Sequence, residues 1–407
     1  MTNNSVHSKS SHLKEPLIRV ARREGTSKLA AFFIKLLAIV LSCVVCLGVI
    51  YILTGSTPDK VASAMGGELF GFGTRQMNNI MNAYSSSPLE GFFRGLLSSK
   101  PFWRTIRDAM IMLCVAIALT PAFKMRFWNT GGEGQILMGG LATATVMIFC
   151  ADKLSPALLI IVMLLASIAA GLVWGLIPAI FKAKWNTNET LFTLMMNYIA
   201  IQLVLFFNII WDTTGGAGYI GMINKETHAG WFPTDIAGGF LGTENYIIHL
   251  LTVIVLTVLV YIYLGYTKHG YEISVVGESE NTARYAGISI KRVIIRTMCI
   301  SGAICGLAGF LLVAGSTHTI AKDTSDNRGF TAIIVAWLSK FNPFMMIFYS
   351  FLIVFLSNGS KEIATRCGLN EAASDVLTGI VLFFIIASDF FINYRLVFRH
   401  KTAKEEK

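Results

Sequence analysis

The run RFWNTGGEGQILMGG, Arg126 to Gly140, sets a carboxylate, two amides and two glycine clusters inside a chain that otherwise reads as apolar helices. A lipid-facing helix does not carry such a run cheaply. A charge at the bilayer centre costs roughly 2.5–3.5 kcal/mol or more, and irregular backbone at that depth is tolerated only inside protein or along a cavity. The chemistry available is recognition of a small polar solute. A half-helix start points partial positive charge at its surroundings, and Asn129, Thr130, Glu133 and Gln135 add donors and acceptors to a pathway. A structural reading competes: Thr130 and Glu133 have the T-x-x-E spacing of a capping box, with Thr130 as cap and Glu133 reaching back to the Thr130 N–H. The two readings are compatible. Asn186-Thr-Asn-Glu189 repeats the spacing near an aqueous edge and reads as a cap alone. Asn197, within Met195-Met-Asn-Tyr198, puts an amide at membrane depth, either as a helix–helix hydrogen bond or as part of the pathway. Asn129-Thr-Gly131 recurs as Asn327-Arg-Gly329, each before an apolar helix rich in small residues. Such paired breaks fit a transporter built from repeats, and chance likeness of three residues fits equally. Asp108 and Asp375 lie near span ends, where solvation at the outer interface suffices.

The elements that must hold these groups follow from composition. The 407 residues are 54% hydrophobic and only 14% charged, well below the roughly 25% charge of soluble domains. The apolar residues cluster in runs of membrane-spanning length. The spacing predicts helices over 29–53, 105–123, 132–150, 156–181, 189–211, 244–266, 293–316, 329–340, 343–357 and 373–393. The expected class is an all-α polytopic membrane protein of about ten transmembrane segments, including broken or half-helices, with an inverted repeat of two five-span halves as an open option. The eighth and ninth segments are too short to cross a core of about 30 Å alone; they read as half-helices or as one element bent at Asn342-Pro343. Pro121 and Pro178 are expected to kink or end their helices.

With the N-terminus placed inside, 20 of the 34 Lys and Arg fall in inner segments and 11 in outer ones. That excess follows the positive-inside rule and places both termini in the cytoplasm of a plasma-membrane protein. It also accounts for the net charge of +10 without a nucleic-acid partner. The expected organisation is a basic cytoplasmic tail over 1–28, a transmembrane domain over 29–393 and a second basic cytoplasmic tail over 394–407. The first apolar run exceeds the 7–15 residues of a cleaved signal and reads as a retained span. Cys43 and Cys46 form a CxxC inside that span, without the strand or loop context of a redox pair. Two outer segments are long, 54–104 and 212–243. In the second, Trp211, Tyr219, Trp231 and Phe232 read as interfacial anchors, or as part of a surface that receives a delivery protein.

The inner loop 267–292 holds a helix-sized stretch between Gly277 and Gly287, with Ser279 as N-cap and Gly287 as stop. Small Ala283 and Ala286 around Tyr285 would form a low knob able to dock in a groove of a soluble partner; a plain surface turn is the alternative.

GYEISVVGESENTARYAGISIKRVIIRTMCISGAICGLAGFLL resembles the matching stretch of ABC-transporter permeases for nucleosides and simple sugars, within the broad superfamily that includes branched-chain amino-acid permeases. NTGGEGQILMGG is similar to the nucleoside branch's N-x-G-x-E-G-Q motif. NETLFTLMMNYIA and GFTAIIVAWLSKFNP resemble two further blocks in the same order, so the likeness covers roughly 105–393. It implies a translocating subunit of a binding-protein-dependent importer. Its partners would be a cytoplasmic ATPase that holds ATP and Mg, a second and often non-identical permease, and an extracellular lipoprotein that delivers the small-molecule substrate. The coupling element would be Glu278, Ser279, Glu280, Asn281, Ala283, Arg284, Tyr285, Ala286 and Gly287. The pathway would take Asn129, Thr130, Glu133, Gln135, Asn197 and Asn327. Thr130-Gly131-Gly132 departs from the bulkier apolar residues usual in the family, which could loosen the break and alter selectivity.

The chain carries no G-x-x-x-x-G-K-[ST] phosphate loop, no metal-spaced cluster and no evident nucleophile–base pair. It therefore reads as a transport subunit without a cofactor of its own rather than an enzyme. A simple-sugar permease and an ion-coupled secondary transporter, with Glu133 as the protonatable group, remain the alternatives.

Overall fold

The computed structural model describes residues 18–23, 27–54, 100–212, 220–233, 246–366, 368 and 370–398. In chain order these form β1 (Ile18–Arg22), α1 (Lys28–Thr54), α2 (Lys100–Lys124), α3 (Gly132–Cys150), α4 (Pro156–Trp185), α5 (Glu189–Trp211) and α6 (Tyr246–Tyr266). Then come α7 (Lys268–Glu278), α8 (Glu280–Tyr285), α9 (Ile290–Leu312, extended by a π turn over Val313–Thr317), α10 (Arg328–Leu338), α11 (Pro343–Arg366), α12 (Glu371–Asn393) and β2 (Tyr394–Phe398). Among the described residues, nine helices are long and apolar enough to cross a membrane, and α10 is a shorter apolar helix. The chain is an all-α polytopic membrane protein apart from one small ribbon.

The chain divides into two compact units, residues 1–55 with 376–407, and residues 56–375. In the first, β1 and β2 pair antiparallel, Ile18 opposite Phe398 and Arg22 opposite Tyr394. Arg23 N–H donates to the Asn393 carbonyl at 2.9 Å. The segments read as basic tails thus include a ribbon that the helical pattern did not announce. The 54–104 segment lies outside the described residues up to residue 99, as does the rest of both tails.

In the second unit the inner helices are α2 and α9, which bury 89% and 78% of their most apolar window; α4, α5 and α6 bury only 22–28%. Their exposed apolar faces suit lipid. α9 packs on α4, α3 and α2, and α2 also meets α6, α10 and α11. Glycines set the closest crossings. Gly171 and Gly175 of α4 face Gly302 and Gly306 of α9; a Cβ on Gly175 would lie 3.2 Å from the Gly302 Cα. A Cβ on Gly139 of α3 would lie 2.6 Å from the Gly306 Cα, so three backbones meet at Gly306. Small residues are what allow such approach between membrane helices.

Three expectations need correction. α11 runs from Pro343 to Arg366, 24 residues or about 36 Å, and so crosses unaided; only α10, 11 residues and about 16 Å, is a half-helix. α4 does not end at Pro178: it continues to Trp185 with the proline buried within the helix. Trp231 and Phe232 are not interfacial anchors. Trp231 is stacked between His228 and His318, at 4.4 and 3.8 Å between centroids, and buried Phe232 packs on His249 and Phe310. Tyr219 lies outside the described residues.

Because a Cβ on Gly306 would fall against the Ser167 carbonyl while one on Gly265 meets nothing within 4 Å, Gly306→Ala should destabilise by about 1–3 kcal/mol and Gly265→Ala should not. Thermal unfolding of both variants in detergent checks this; equal melting temperatures would contradict the three-backbone crossing.

Candidate functional site at two interrupted helices

α2 ends when Arg126 turns left-handed (φ 60°). Phe127 N–H then reaches back to the Ala122 carbonyl and Arg126 N–H to that of Phe123, a Schellman closure. The chain crosses Trp128 to Thr130 in a tight turn and α3 begins at Gly132, with Gly131 as N-cap and no side-chain cap of its own. The capping box read from Thr130 and Glu133 does not form. Thr130 Oγ1 donates instead to the Thr190 carbonyl at 3.1 Å and lies 2.9 Å from Thr193 Oγ1, fastening the turn to α5. Glu133 turns away from its own helix start to another one.

That second start is α10. Its N-cap residue Asn327 is left-handed (φ 55°) and makes no side-chain cap bond. The Glu133 carboxylate supplies the cap, accepting from Gly329 N–H at 2.7 Å and from the Ser325 hydroxyl. A carboxylate suits this end of the α10 dipole. Gly329 is required by the approach: a Cβ there would lie 2.6 Å from the Glu133 Cα. The break of α3 and the break of α10 therefore abut. Arg328 lies 3.6 Å from Asp108, which is also 3.1 Å from Arg107. Asp108 is buried, not solvated at an interface as its place near a span end implied, because these two guanidiniums compensate it.

The start of α3 is capped by Asn197 of α5, which answers both orphan groups of the turn: its Oδ1 accepts from Gly134 N–H and its Nδ2 donates to the Thr130 carbonyl, each at 2.9 Å. Asn129 Oδ1 accepts from Gly131 N–H at 3.1 Å, and Asn129 Nδ2 donates to Ser301 of α9 at 3.2 Å. Gln135 Nε2 reaches Asn129 Oδ1 at 3.4 Å. Asn129, Glu133, Gln135 and Asn197 are buried, Thr130 is half-buried and Asn327 is exposed. The structure thus brings together every polar residue singled out at the first break; Asn327 joins through its backbone position and not its side chain.

Sequence reasoning missed Thr193, Ser301, Ser325 and Trp174. Thr193 and Ser301 carry no local signal, since a single hydroxyl in a helix commonly bonds its own backbone, and Ser325 sits in the turn before α10, where a serine is ordinary. The indole N–H of Trp174 is buried without an acceptor and sits beside Gly134. Its signal was the Gly171-x-x-Trp174-Gly175 spacing, which sets a large ring in a glycine-faced stretch.

At the 267–292 loop, Ser279 caps α8 as expected, accepting from Thr282 N–H. Gly287 (φ 73°) ends α8, with Ile288 N–H closing on the Ala283 carbonyl at 2.9 Å. The knob differs in one respect: Tyr285 is 94% exposed but Ala283 is wholly buried, so the outer surface comprises Asn281, Arg284, Tyr285 and Ala286. α7 is clamped to α9 by Arg296, which reaches both Glu272 (2.9 Å) and His269. Burial would raise the Glu272 carboxyl, but the hydrogen bonds and charges of Arg296 and His269 outweigh it and hold it below the ordinary range. Gly277, which ends α7 with Glu278, lies directly on the Lys124 carbonyl at the end of α2. A cavity of about 260 Å³ joins this contact to the turn, lined by Met125, Arg126 and Phe127 on one side and Val276 to Glu280 on another. At the α4–α5 corner the cap is Asn188, not Asn186: Asn188 accepts from Thr190 and Leu191 N–H, while Asn186 is the left-handed end of α4 and Glu189 pairs with Lys182 at 2.8 Å.

A multi-pass helical protein with two helices interrupted at depth, and a short exposed helix beneath one of them, is the architecture of a membrane permease. The chain belongs to the branched-chain amino acid transport system / permease component family, which matches residues 102–386. It is 28% identical over 311 residues to the glucose ABC transporter permease protein TsgB13 of Haloferax volcanii, covering 75% of this chain and 81% of that one. It is 27% identical to the nucleoside ABC transporter permease protein NupB of Lactococcus lactis, covering 75% and 85%. It is 28% identical to the guanosine ABC transporter permease protein NupP of Bacillus subtilis, covering 70% and 80%. No solved structure matches.

Asn197→Ala removes the partner of Gly134 N–H and of the Thr130 carbonyl together, and each buried orphan costs about 1–3 kcal/mol. The variant should unfold at markedly lower denaturant than the parent, whereas Tyr198→Ala, 59% exposed in the parent, should change little. Equal midpoints for the two would show that the turn does not depend on Asn197.

Proposed function

We propose that this chain is the membrane-spanning subunit of an ATP-driven, binding-protein-dependent importer that carries nucleosides by alternating access. The observation that carries this reading is the meeting of two interrupted helices at Glu133, within a family of ABC permeases. Half-helix starts present polar backbone to a solute inside the membrane, and the unpartnered indole N–H of Trp174 beside Gly134 adds a donor to that place. Asn129, Thr130, Glu133, Gln135, Asn197 and Asn327 line or hold the pathway at this point. Nucleosides are favoured because two relatives are named for nucleoside and guanosine transport; the glucose relative supports a simple sugar as the second reading.

The power stroke comes from a separate cytoplasmic ATPase holding ATP and Mg, with a second permease subunit and an extracellular lipoprotein completing the assembly. The ATPase docks on α8 and its flanks, Glu278 to Gly287, with Tyr285 the side chain most offered to it. Movement there reaches the pathway by two rigid contacts: Gly277 on the end of α2, which leads into the Phe127–Thr130 turn, and the Arg296 clamp onto α9, whose Ser301 holds Asn129. Ala283 supports α8 from below and takes no part in docking. The chain's termini face the cytoplasm in this arrangement, on the side of the Lys- and Arg-rich loops.

Proteoliposomes holding this chain with its ATPase and second permease, supplied with the binding lipoprotein, should take up labelled nucleoside only with ATP. Uptake by the chain alone under an ion gradient would sink the proposal and favour the secondary-transporter reading; competition by glucose rather than nucleoside would favour the sugar. Tyr285→Ala should weaken ATPase binding by about 2 kcal/mol, roughly 30-fold, with insertion unchanged. Undiminished binding of the ATPase to that variant would remove α8 as the docking element.

A further inference from the structure

A second cavity, about 520 Å³, adjoins the first and shares Lys182, Glu280 and Ile294 with it, between the last turn of α4 and the first turn of α9. Four cations line it from three separate elements: Lys182 and Lys184 of α4, Arg284 of α8 and Lys291 of α9; Glu280 is its one carboxylate. Lys182 is engaged with Glu189 at 2.8 Å, and Arg284 lies 3.7 Å from Glu280. Lys184 and Lys291 have no carboxylate partner among the described residues. The wall also includes Ser289, the N-cap of α9, which makes no side-chain cap bond and leaves the first N–H groups of a 23-residue helix without one.

With Lys182 paired to Glu189 and Arg284 near Glu280, the charges of Lys184 and Lys291 remain uncompensated, an arrangement that is self-repelling unless an anion with several acceptor oxygens sits among them. The depth of the cavity limits the source. Trp185, next to Lys184 and with the Lys184 ammonium 5.8 Å from its ring centre, is 62% exposed at the end of a lipid-facing helix. That is the place of an interfacial tryptophan, at the level of lipid headgroups. Basic pockets between helices at this level suit phosphate-bearing headgroups.

We propose that this cavity is a phosphate site, in which Lys182, Lys184, Arg284 and Lys291 hold a phosphate group and thereby tie α8 to the ends of α4 and α9. The bound group comes either from an anionic phospholipid or from a soluble phosphate compound. The cavity shares Glu280 and Arg284 with the docking surface proposed for the ATPase, and its test uses the chain without solute or ATPase.

The purified chain is placed in nanodiscs of phosphatidylcholine alone or with phosphatidylglycerol, and its thermal unfolding is followed with and without inorganic phosphate. Native mass spectrometry counts retained phosphatidylglycerol. The double variant Lys184→Gln with Lys291→Gln is compared with Lys225→Gln and Lys322→Gln, exposed lysines at the far end of α9. A rise in unfolding temperature with phosphatidylglycerol and one retained lipid, both lost in the double variant with affinity at least about tenfold weaker, establishes a headgroup site. The same pattern with inorganic phosphate in phosphatidylcholine establishes a soluble-phosphate site. No response to either probe, a response kept by the double variant, or an equal loss in the control overturns the proposal.

Discussion

Two helix starts inside the membrane present backbone N–H groups that lipid cannot satisfy, and the Glu133 carboxylate resolves one of them from across the fold. Each such orphan is expensive in an apolar medium, so the interruption of α10 is tolerable only while Glu133 accepts from Gly329 and Ser325. The interruption of α3 depends in the same way on Asn197. These two caps run in sequence through space: α5 caps α3, and α3 caps α10. Arg328 and Arg107 around buried Asp108 place balanced charge beside the second cap. The glycine crossings of α3, α4 and α9 follow from this arrangement, since Asn129 reaches Ser301 of α9 only where the helices come close.

The same geometry gives the exposed end of the chain a short mechanical route to the break. α8 is anchored through buried Ala283 and presents Tyr285 outward. α7 behind it touches the end of α2 at Gly277 and is clamped to α9 by Arg296. A load on α8 is therefore delivered to the two segments that flank the Phe127–Thr130 turn, rather than dissipated in a loose loop. In the proposed importer this is how work done on a partner subunit reaches a polar pathway held by caps.

Much of the fold was legible because apolar runs of spanning length have few alternatives in a membrane protein. The break at 126–140, the amide of Asn197 and the bounds of α8 between Ser279 and Gly287 were legible for local reasons: glycine clusters, a polar group at depth and ordinary cap chemistry. What could not be read were partners distant in sequence. Ser325 and Gly329 lie 192 and 196 residues from Glu133, and a T-x-x-E spacing looks the same whether the carboxylate caps its own helix or another. The burial of Ala283 was hidden because alanine is small enough for either side of a helix. The ribbon of β1 and β2 was masked by the arginines in both strands, which served as topology signals.

The most direct test of the account is a double-mutant cycle on the cross-cap, Glu133→Gln with Ser325→Ala, read as unfolding free energy in micelles or bilayers. The account predicts that the two changes are coupled by about 1 kcal/mol or more, within the range for residues sharing one buried network. Additivity within about 0.3–0.5 kcal/mol, the behaviour of independent sites, would mean that Glu133 does not hold the second helix, and the joined breaks would lose their physical basis.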